Sequence, residues 1–551
     1  MTASSPLEKF LYWADTVPND PFLRQPMAGV WHTRTFAQAA DESKRVAAGL
    51  LALGLKTGDH VAILSKNCAE WILADLALMM AGFVSIPIYP TLTAEGIRPI
   101  LVHSQTKAII AGKLDDFSGQ AAGIPEGVIS IGVSAYGSNA QYSWEKLVQT
   151  HQPISQVHSW DRFEPITIVY TSGTTGNPKG VMHCINAMDS ILQTATKDLH
   201  LPQRPVLFSY LPISHIAERM GMEINSLYAG GCLNFAESLD KFADNLSATQ
   251  PHLFFAVPRI WIKFRETILQ KMPQKKLDLL LSIPIINNIV RKKIKAKLGL
   301  SRASFIASAA APLATEVMLW YKKLGIHIMQ AYAMTEDCCY GHFNWSGANK
   351  YGTVGKALTG LQVKIADDGE IRVKSPGNTL GYYREPELTA ELFDEENYLR
   401  TGDIGEYDND GYLTITGRVK DQFKTDKGKY ISPAPLETQL LNNHFIDQVC
   451  VVGTGIPQPI ALITLSDSGK KVAAEELNSL LDSDRKALNS SLEKHEKIEK
   501  LVILKESWSI ENGLLTPSLK VKRNELEKIF LPHYPTWYQV DGPVIYDNIH
   551  D

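Results

Sequence analysis

The chain has 551 residues, 44% of them hydrophobic and 21% charged, and a net charge of −4. That length is more than one ordinary core uses, so two or more domains are expected. The near-balanced charge carries no polyanion-binding signature, which leaves nucleic acid out as the default partner.

At the N-terminus, Met1-Thr2-Ala3-Ser4-Ser5-Pro6 lacks the basic stretch and apolar run of a signal peptide. No window reaches the uninterrupted apolar length of a membrane-spanning helix. Phe36 to Leu53 has helical periodicity, and Gly54 is a natural stop for that helix. Val61 to Leu64 reads as a buried strand, after which Asn67 can cap a helix from Glu70 to Met80. Val84 to Pro90, Lys107 to Ala111 and Gly127 to Ile131 continue the alternation. Strands alternating with helices predict an α/β fold of parallel sheets covered by helices, with ligands beyond the carboxyl ends of strands. The six cysteines are scattered without metal-ligand spacing, and the adjacent pair Cys338-Cys339 suits neither a disulfide nor zinc. Reduced thiols in a cytoplasmic protein are the expectation.

Pro165 to Val169 is a short β-branched run that reads as another buried strand. It leads into Tyr170-Thr171-Ser172-Gly173-Thr174-Thr175-Gly176-Asn177-Pro178-Lys179-Gly180. The glycines let backbone approach a ligand closely. The hydroxyls of Thr171, Ser172, Thr174 and Thr175 and the free N–H groups can donate to phosphate, and Lys179 adds a positive charge. A Walker A loop needs Gly-Lys followed by Ser or Thr, and here Lys179 stands between Pro178 and Gly180. A loop rich in Gly, Ser and Thr is by itself usually a surface turn. The ordered hydroxyls, the lysine and the preceding strand favour phosphate binding.

The run Ser172 to Gly180 resembles the signature of the adenylate-forming (AMP-binding) superfamily, which includes acyl-CoA synthetases, luciferases and peptide-synthetase adenylation domains. The resemblance implies a large N-terminal domain of helix-covered β-sheets and a small mobile α+β C-terminal domain. It also implies ATP and CoA as co-substrates and Mg²⁺ as cofactor. Further motifs follow in family order. Leu207 to Arg219 resembles the segment bordering the acyl pocket, where His215 would lie near the carboxylate; as a lone histidine it would otherwise be a capping or core residue. Gly230, where small residues leave room for a linear acyl chain, and Ala333 join it as substrate-binding candidates. Phe254 to Trp261 is similar to long-chain fatty acyl-CoA synthetases, although core packing explains most of its aromatics.

Residues 271–297 differ in character, with basic residues flanking an apolar centre. Such a segment can lie on an anionic membrane as a peripheral contact. Pro284 interrupts any long amphipathic helix, which favours a solvated helical insertion whose apolar side packs on the domain.

Ser308 to Leu313 resembles the Gly-rich adenine-binding loop, with alanine where glycine is common, and makes Ala310, Ala311 and Pro312 nucleotide-binding candidates. Ile326 to Met329 reads as a short strand. In Gln330-Ala331-Tyr332-Ala333-Met334-Thr335-Glu336 the family pattern stacks the aromatic on adenine, sets the threonine against the α-phosphate and holds Mg²⁺ on the glutamate. Those roles carry to Tyr332, Thr335 and Glu336, with Gln330 and Ala331 beside them. A hard cation bridging phosphates takes carboxylate oxygen, so Glu336 is chemically apt. Asp403 is the ribose candidate, because a carboxylate accepts from both hydroxyls. Arg418 adds a ribose or phosphate contact.

Val419-Lys420-Asp421 marks the expected boundary, with domains at 1–419 and 420–551 and Lys420 as hinge. Gly428 and Lys429 lie in the segment that the resemblance assigns to CoA. Residues 485–500 read as a solvated helix. Leu515 to Arg523 resembles the catalytic-lysine segment. Leu519 replaces the common glycine, and spacing from Arg523 assigns the role to Lys520 rather than Lys522. Lys520, Thr175, Lys179 and Glu336 thus form the catalytic set. The implied reaction activates a medium- to long-chain fatty acid as acyl-AMP and transfers it to CoA. Alternatives are another acid, a carrier-protein phosphopantetheine as acceptor, or a non-catalytic nucleotide- or acyl-binding protein of the same fold.

Overall fold

The computed structural model describes residues 5–172, 178–516 and 520–547. The largest sheet has seven strands, in the order Tyr142–Ser143, Ile129–Gly132, Ala108–Ala111, His60–Leu64, Val84–Ile88, Pro165–Ser172 and Pro178–Cys184. The first six pair in parallel. Pro178–Cys184 folds back antiparallel on Pro165–Ser172, with Thr171 opposite Lys179. This departs from the purely parallel expectation. It also holds the two flanks of the glycine-rich stretch side by side through ladder hydrogen bonds. Gly173, Thr174, Thr175, Gly176 and Asn177 lie outside the described residues.

Helix Ala69–Ala81 is apolar on nearly every face and is buried along its whole length. Its N-cap is Cys68, not Asn67 as expected. The Asn67 amide instead donates to Ser209 Oγ at 2.7 Å and to the Leu211 carbonyl at 2.6 Å, tying this region to the segment that carries His215.

A second sheet runs Leu253–Ala256, Phe305–Ser308, Met329–Tyr332, His342–Phe343 and Lys356–Ala357. The strand expected at Ile326 to Met329 begins only at Met329. Antiparallel pairing of Ala331 with Phe343 and Tyr332 with His342 draws those residues into the ladder instead of a loop. A third sheet is wholly antiparallel, Gln362–Ile365, Glu370–Lys374, Leu399–Tyr407 and Leu413–Arg418, and it sets Asp403 directly opposite Arg418.

Beyond this sheet the chain passes through a short turn, Val419–Asp421, with Lys420 exposed. The remainder forms a smaller α+β body around the strands Ile446–Val452, Ile460–Leu465, Lys500–Ile503 and Val544–Tyr546. Its apolar clusters share no buried residue with those of the larger body. The helix expected over 485–500 is Ala474–Asn489 instead. Leu477, Leu481 and Leu488 give it a buried stripe, and turns separate it from the strand at Lys500.

Residues 271–297 form two short helices, Gln274–Ser282 and Ile286–Lys297, broken at Pro284. Leu277 and Ile294 are buried against the larger body, as an insertion packed on the domain requires. Among the described residues no helix is long and apolar enough to cross a membrane.

Candidate active site

The strand Met329–Tyr332 delivers Tyr332 to a carboxyl edge, where its hydroxyl donates to Asp403 Oδ2 at 2.8 Å. Arg418 Nε donates to the other oxygen, Oδ1, at 2.5 Å. Asp403 and Arg418 meet because their strands pair in that register. Burial, and then the charge of Asp403, keep the Tyr332 phenol protonated well past its ordinary range. Asp403 in turn raises the Arg418 pKa and holds its guanidinium charged. Ala310, Ala311 and Pro312 follow the neighbouring strand and are exposed at the same edge. Ala310 adopts φ 72, a conformation that glycine takes without strain, so alanine there keeps the backbone shape at a steric cost. Gln330 is buried in the strand, level with Ser308.

Glu336 lies just past this strand, with Ala333 and Thr335 between. Its Oε1 accepts from the Tyr382 hydroxyl at 2.9 Å. The same Tyr382 ring carries the Lys179 ammonium 4.9 Å from its centroid. Residues 380–383 are sewn to the strand after the glycine-rich stretch: Met182 N–H donates to the Gly381 carbonyl at 3.0 Å and Tyr383 N–H to the Gly180 carbonyl at 2.8 Å. Tyr382 thus joins Lys179 to Glu336. Nothing in the sequence around Gly381-Tyr382-Tyr383 singled it out, because the contact is long-range and has no period. Glu336 Oε2 has no partner among the described residues. One open carboxylate oxygen is the donor a magnesium ion takes when substrate phosphates and water fill its remaining positions, so the residues fit that ion.

His215 caps the short helix Ile216–Glu218, its Nδ1 accepting the Ala217 N–H at 3.2 Å. Burial, with a smaller contribution from the Lys520 charge, pushes its imidazole down to about 4, so it is neutral at pH 7. The cap role and closeness to Lys520 therefore coexist. Two neighbours that sequence reasoning missed hold this segment. Arg219 is fully buried and donates through Nη2 to both oxygens of Asp75 at 2.7 Å and through Nη1 to Thr167 Oγ1 at 2.6 Å. Glu218 Oε1 accepts from Ser209 Oγ at 2.8 Å and Tyr210 N–H at 2.9 Å, and burial lifts its carboxyl to about 8. Their adjacency to His215 was the available signal, since charges on an otherwise apolar segment must find buried partners. Gly230 is a different matter. It ends its helix at φ 67, and a Cβ there would stand 2.6 Å from the Trp13 ring. The space that a side chain at this position would take is filled by that indole.

Lys520 reaches this cleft from the smaller body. Its backbone is tied to Thr516, N–H to Oγ1 at 3.0 Å and carbonyl to N–H at 2.8 Å. Crowding by protein lowers its pKa, Arg418 pushes the same way, and Asp403 and Glu336 oppose. The side chain stays open to solvent, so desolvation is partial. Lys522 instead forms the N-cap of helix Arg523–Phe530 and donates its N–H to the Leu514 carbonyl at 2.9 Å. Gly428 and Lys429 close a turn on Thr425, and no described contact joins them to Tyr332, Glu336 or Asp403.

The arrangement gathers carboxylates and cations at strand ends, within the field of a lysine from the smaller body. The AMP-binding enzyme family matches residues 10–383, and the AMP-binding enzyme C-terminal domain matches residues 420–539. The chain belongs to the AMP-binding enzyme family. Among AMP-binding enzymes it is 29% identical to the long-chain-fatty-acid–CoA ligase FadD15 of Mycobacterium bovis, over 91% of this chain and 92% of that one. It is also 29% identical to the peroxisomal long chain acyl-CoA synthetase 6 of Arabidopsis thaliana, over 93% of this chain and 82% of that one. Its fold matches the adenylation domain of a carboxylate reductase from Mycobacterium chelonae, with a TM-score of 0.82 at 20% identity over 98% of this chain and 92% of that one. It matches the o-succinylbenzoate CoA synthetase of Bacillus subtilis with a TM-score of 0.72 at 21% identity, over 96% and 99%.

Proposed function

We propose that the protein is an AMP-forming acid–CoA ligase that acts on a medium- to long-chain fatty acid. The observation that carries this reading is Lys520 standing in the field of Arg418, Asp403 and Glu336. The acid class is supported by relatives named as long-chain-fatty-acid–CoA ligases.

In the first half-reaction a carboxylate oxygen attacks the α-phosphorus of ATP. A new O–P bond forms, the bond to the bridging oxygen breaks, and pyrophosphate leaves with its electron pair. Negative charge builds at that phosphorus, and fixed cations lower the barrier where it develops. Lys520 and Lys179 supply that charge, and Tyr332 and Asp403 seat the nucleoside. Neutral His215 adds no cation beside Lys520. Glu336 would hold Mg²⁺, which neutralises phosphate charge when bound. In the second half-reaction the CoA sulfur attacks the acyl carbon, the thiol proton is released, and the bond to AMP breaks. We take 419/420 as the domain boundary and Lys420 as the hinge about which Lys520 withdraws and the Gly428-Lys429 turn approaches. Closure also keeps water from the acyl-AMP anhydride.

The test is ATP–pyrophosphate exchange over a panel of acids, followed by thioester formation with CoA or a carrier protein. Exchange is expected only with acid present and best with fatty acids. Exchange driven equally by aryl acids would refute the fatty-acid class, and thioester on carrier protein alone would refute CoA as acceptor.

A further inference from the structure

The helical insertion at 271–297 carries eight basic residues and one acidic residue, Asp278, in a chain whose net charge is −4. Its inward face is accounted for: Leu277 and Ile294 are buried, and Arg291 Nε donates to the Lys323 carbonyl at 2.9 Å. Its outward face is not. At the turn between the two helices Ile285 is 75% exposed, with Leu279 at 62% and Ile289 at 49%, and Ile283 and Ile286 are exposed beside them. Ile285 also sits at φ 74 and ψ −54, backbone that a β-branched residue rarely adopts. Isolated exposed apolar residues need no explanation, but a contiguous cluster at the tip of a projection does.

The charges are placed in register with that tip. Lys275 and Lys276 precede Leu279 by four and three residues, and Lys292 and Lys293 follow Ile289 by three and four. On a helix those spacings put each lysine pair on the stripe of its apolar residue, one turn or about 5.4 Å behind that residue and about 9 Å or more from the turn between the helices. All four lysines are exposed. An apolar tip with a basic collar about 9 Å or more behind it matches the depth profile of a membrane surface, acyl chains first and anionic headgroups above. A second copy of the chain is disfavoured, since self-docking through this tip would bring two collars of like charge together.

We propose that the turn around Ile285 inserts into the surface of an anionic lipid bilayer, with Lys275, Lys276, Lys292 and Lys293 bound to headgroups. This goes beyond the ligase reading and does not rest on it. The test is co-sedimentation of the full chain, without ATP, acid or CoA, with phosphatidylcholine vesicles and with vesicles containing about a third phosphatidylglycerol. Binding is expected to the anionic vesicles and to weaken with salt. Lys292→Glu with Lys293→Glu should weaken it about tenfold or more, and Ile285→Ser with Ile286→Ser should abolish sedimentation while leaving exchange on a soluble short acid unchanged. The proposal is overturned by absence of binding, by equal binding to both vesicles, by binding that ignores both double variants, or by a dimer in solution that Ile285→Ser dissolves.

Discussion

The two walls of the cleft are built on different terms. On the larger body Tyr332, Asp403 and Arg418 hold one another across paired strands, and Tyr382 holds Glu336 and Lys179. Each group there is fixed before any ligand arrives. On the smaller body Lys520 is held by backbone bonds to Thr516 and, among the described residues, meets the wall through longer-range charge. The apolar clusters of the two bodies are separate, so the lysine can leave without unfolding either core. A preorganised wall and a deliverable cation suit the proposed ligase, in which the lysine would serve one half-reaction and withdraw for the next.

The comparison breaks most sharply at Lys520. Lys520→Ala should cut ATP–pyrophosphate exchange by about 10²–10³-fold while thioester formation from supplied acyl-AMP stays near wild type. Full exchange by that variant would end the assignment. Asp403→Ala removes the acceptor shared by Tyr332 and Arg418, and apparent affinity should fall about tenfold to a hundredfold for ATP in the first half-reaction and for acyl-AMP in the second, as titration would read. Tyr382→Phe keeps the ring under Lys179 and loses the bond to Glu336. About fivefold more Mg²⁺ should then be needed for half-maximal exchange and for Mg²⁺-dependent binding of ATP, and an unchanged requirement would detach Tyr382 from Glu336.

Two smaller effects follow from pH. The Lys520 pKa is lowered from 10.5, so its ammonium is lost earlier than that of a free lysine as pH rises. The alkaline limb of kcat/KM for exchange should lie below 10.5, and Lys520→Arg should remove the limb while lowering the rate. On the larger body burial raises the Glu218 carboxyl from 4.5 to about 8, which favours its protonated form in the folded state. Its contribution to stability is therefore whole below 4.5 and is lost as pH rises through 8. Glu218→Gln should gain Tm relative to wild type between about pH 5 and about pH 9. A Tm difference that ignores pH would contradict the buried, protonated assignment.

Much of this was legible in the residues. The runs Val61 to Leu64, Val84 to Ile88 and Ile460 to Leu465 are short, β-branched and apolar, and they are strands. Phe36 to Ala52 is the helix that its period predicts, ended before Gly54. Where tertiary pairing competes with local pattern, the reading shifted. Asn67 left its cap for Ser209 and Leu211, the strand at Met329 took in Tyr332, and the Lys- and Glu-rich run after Asn489 lost its helix. In the site, Glu336, Asp403, Arg418 and Lys520 stood out by their resemblance to the family's motifs, whereas Tyr382, Glu218 and Arg219 did not.

Sequence alone determined the alternation of elements, the order of the chemistry-bearing motifs and the membership of the AMP-binding enzyme family, because periodicity and short motifs are properties of neighbouring residues. The tertiary structure alone decided that Trp13 fills the space at Gly230, that one tyrosine bridges Lys179 and Glu336, that the apolar turn at Ile285 faces outward, and that Lys520 stands over the same cleft as Asp403. Those facts join residues far apart in the chain, and only packing and strand register bring such residues together.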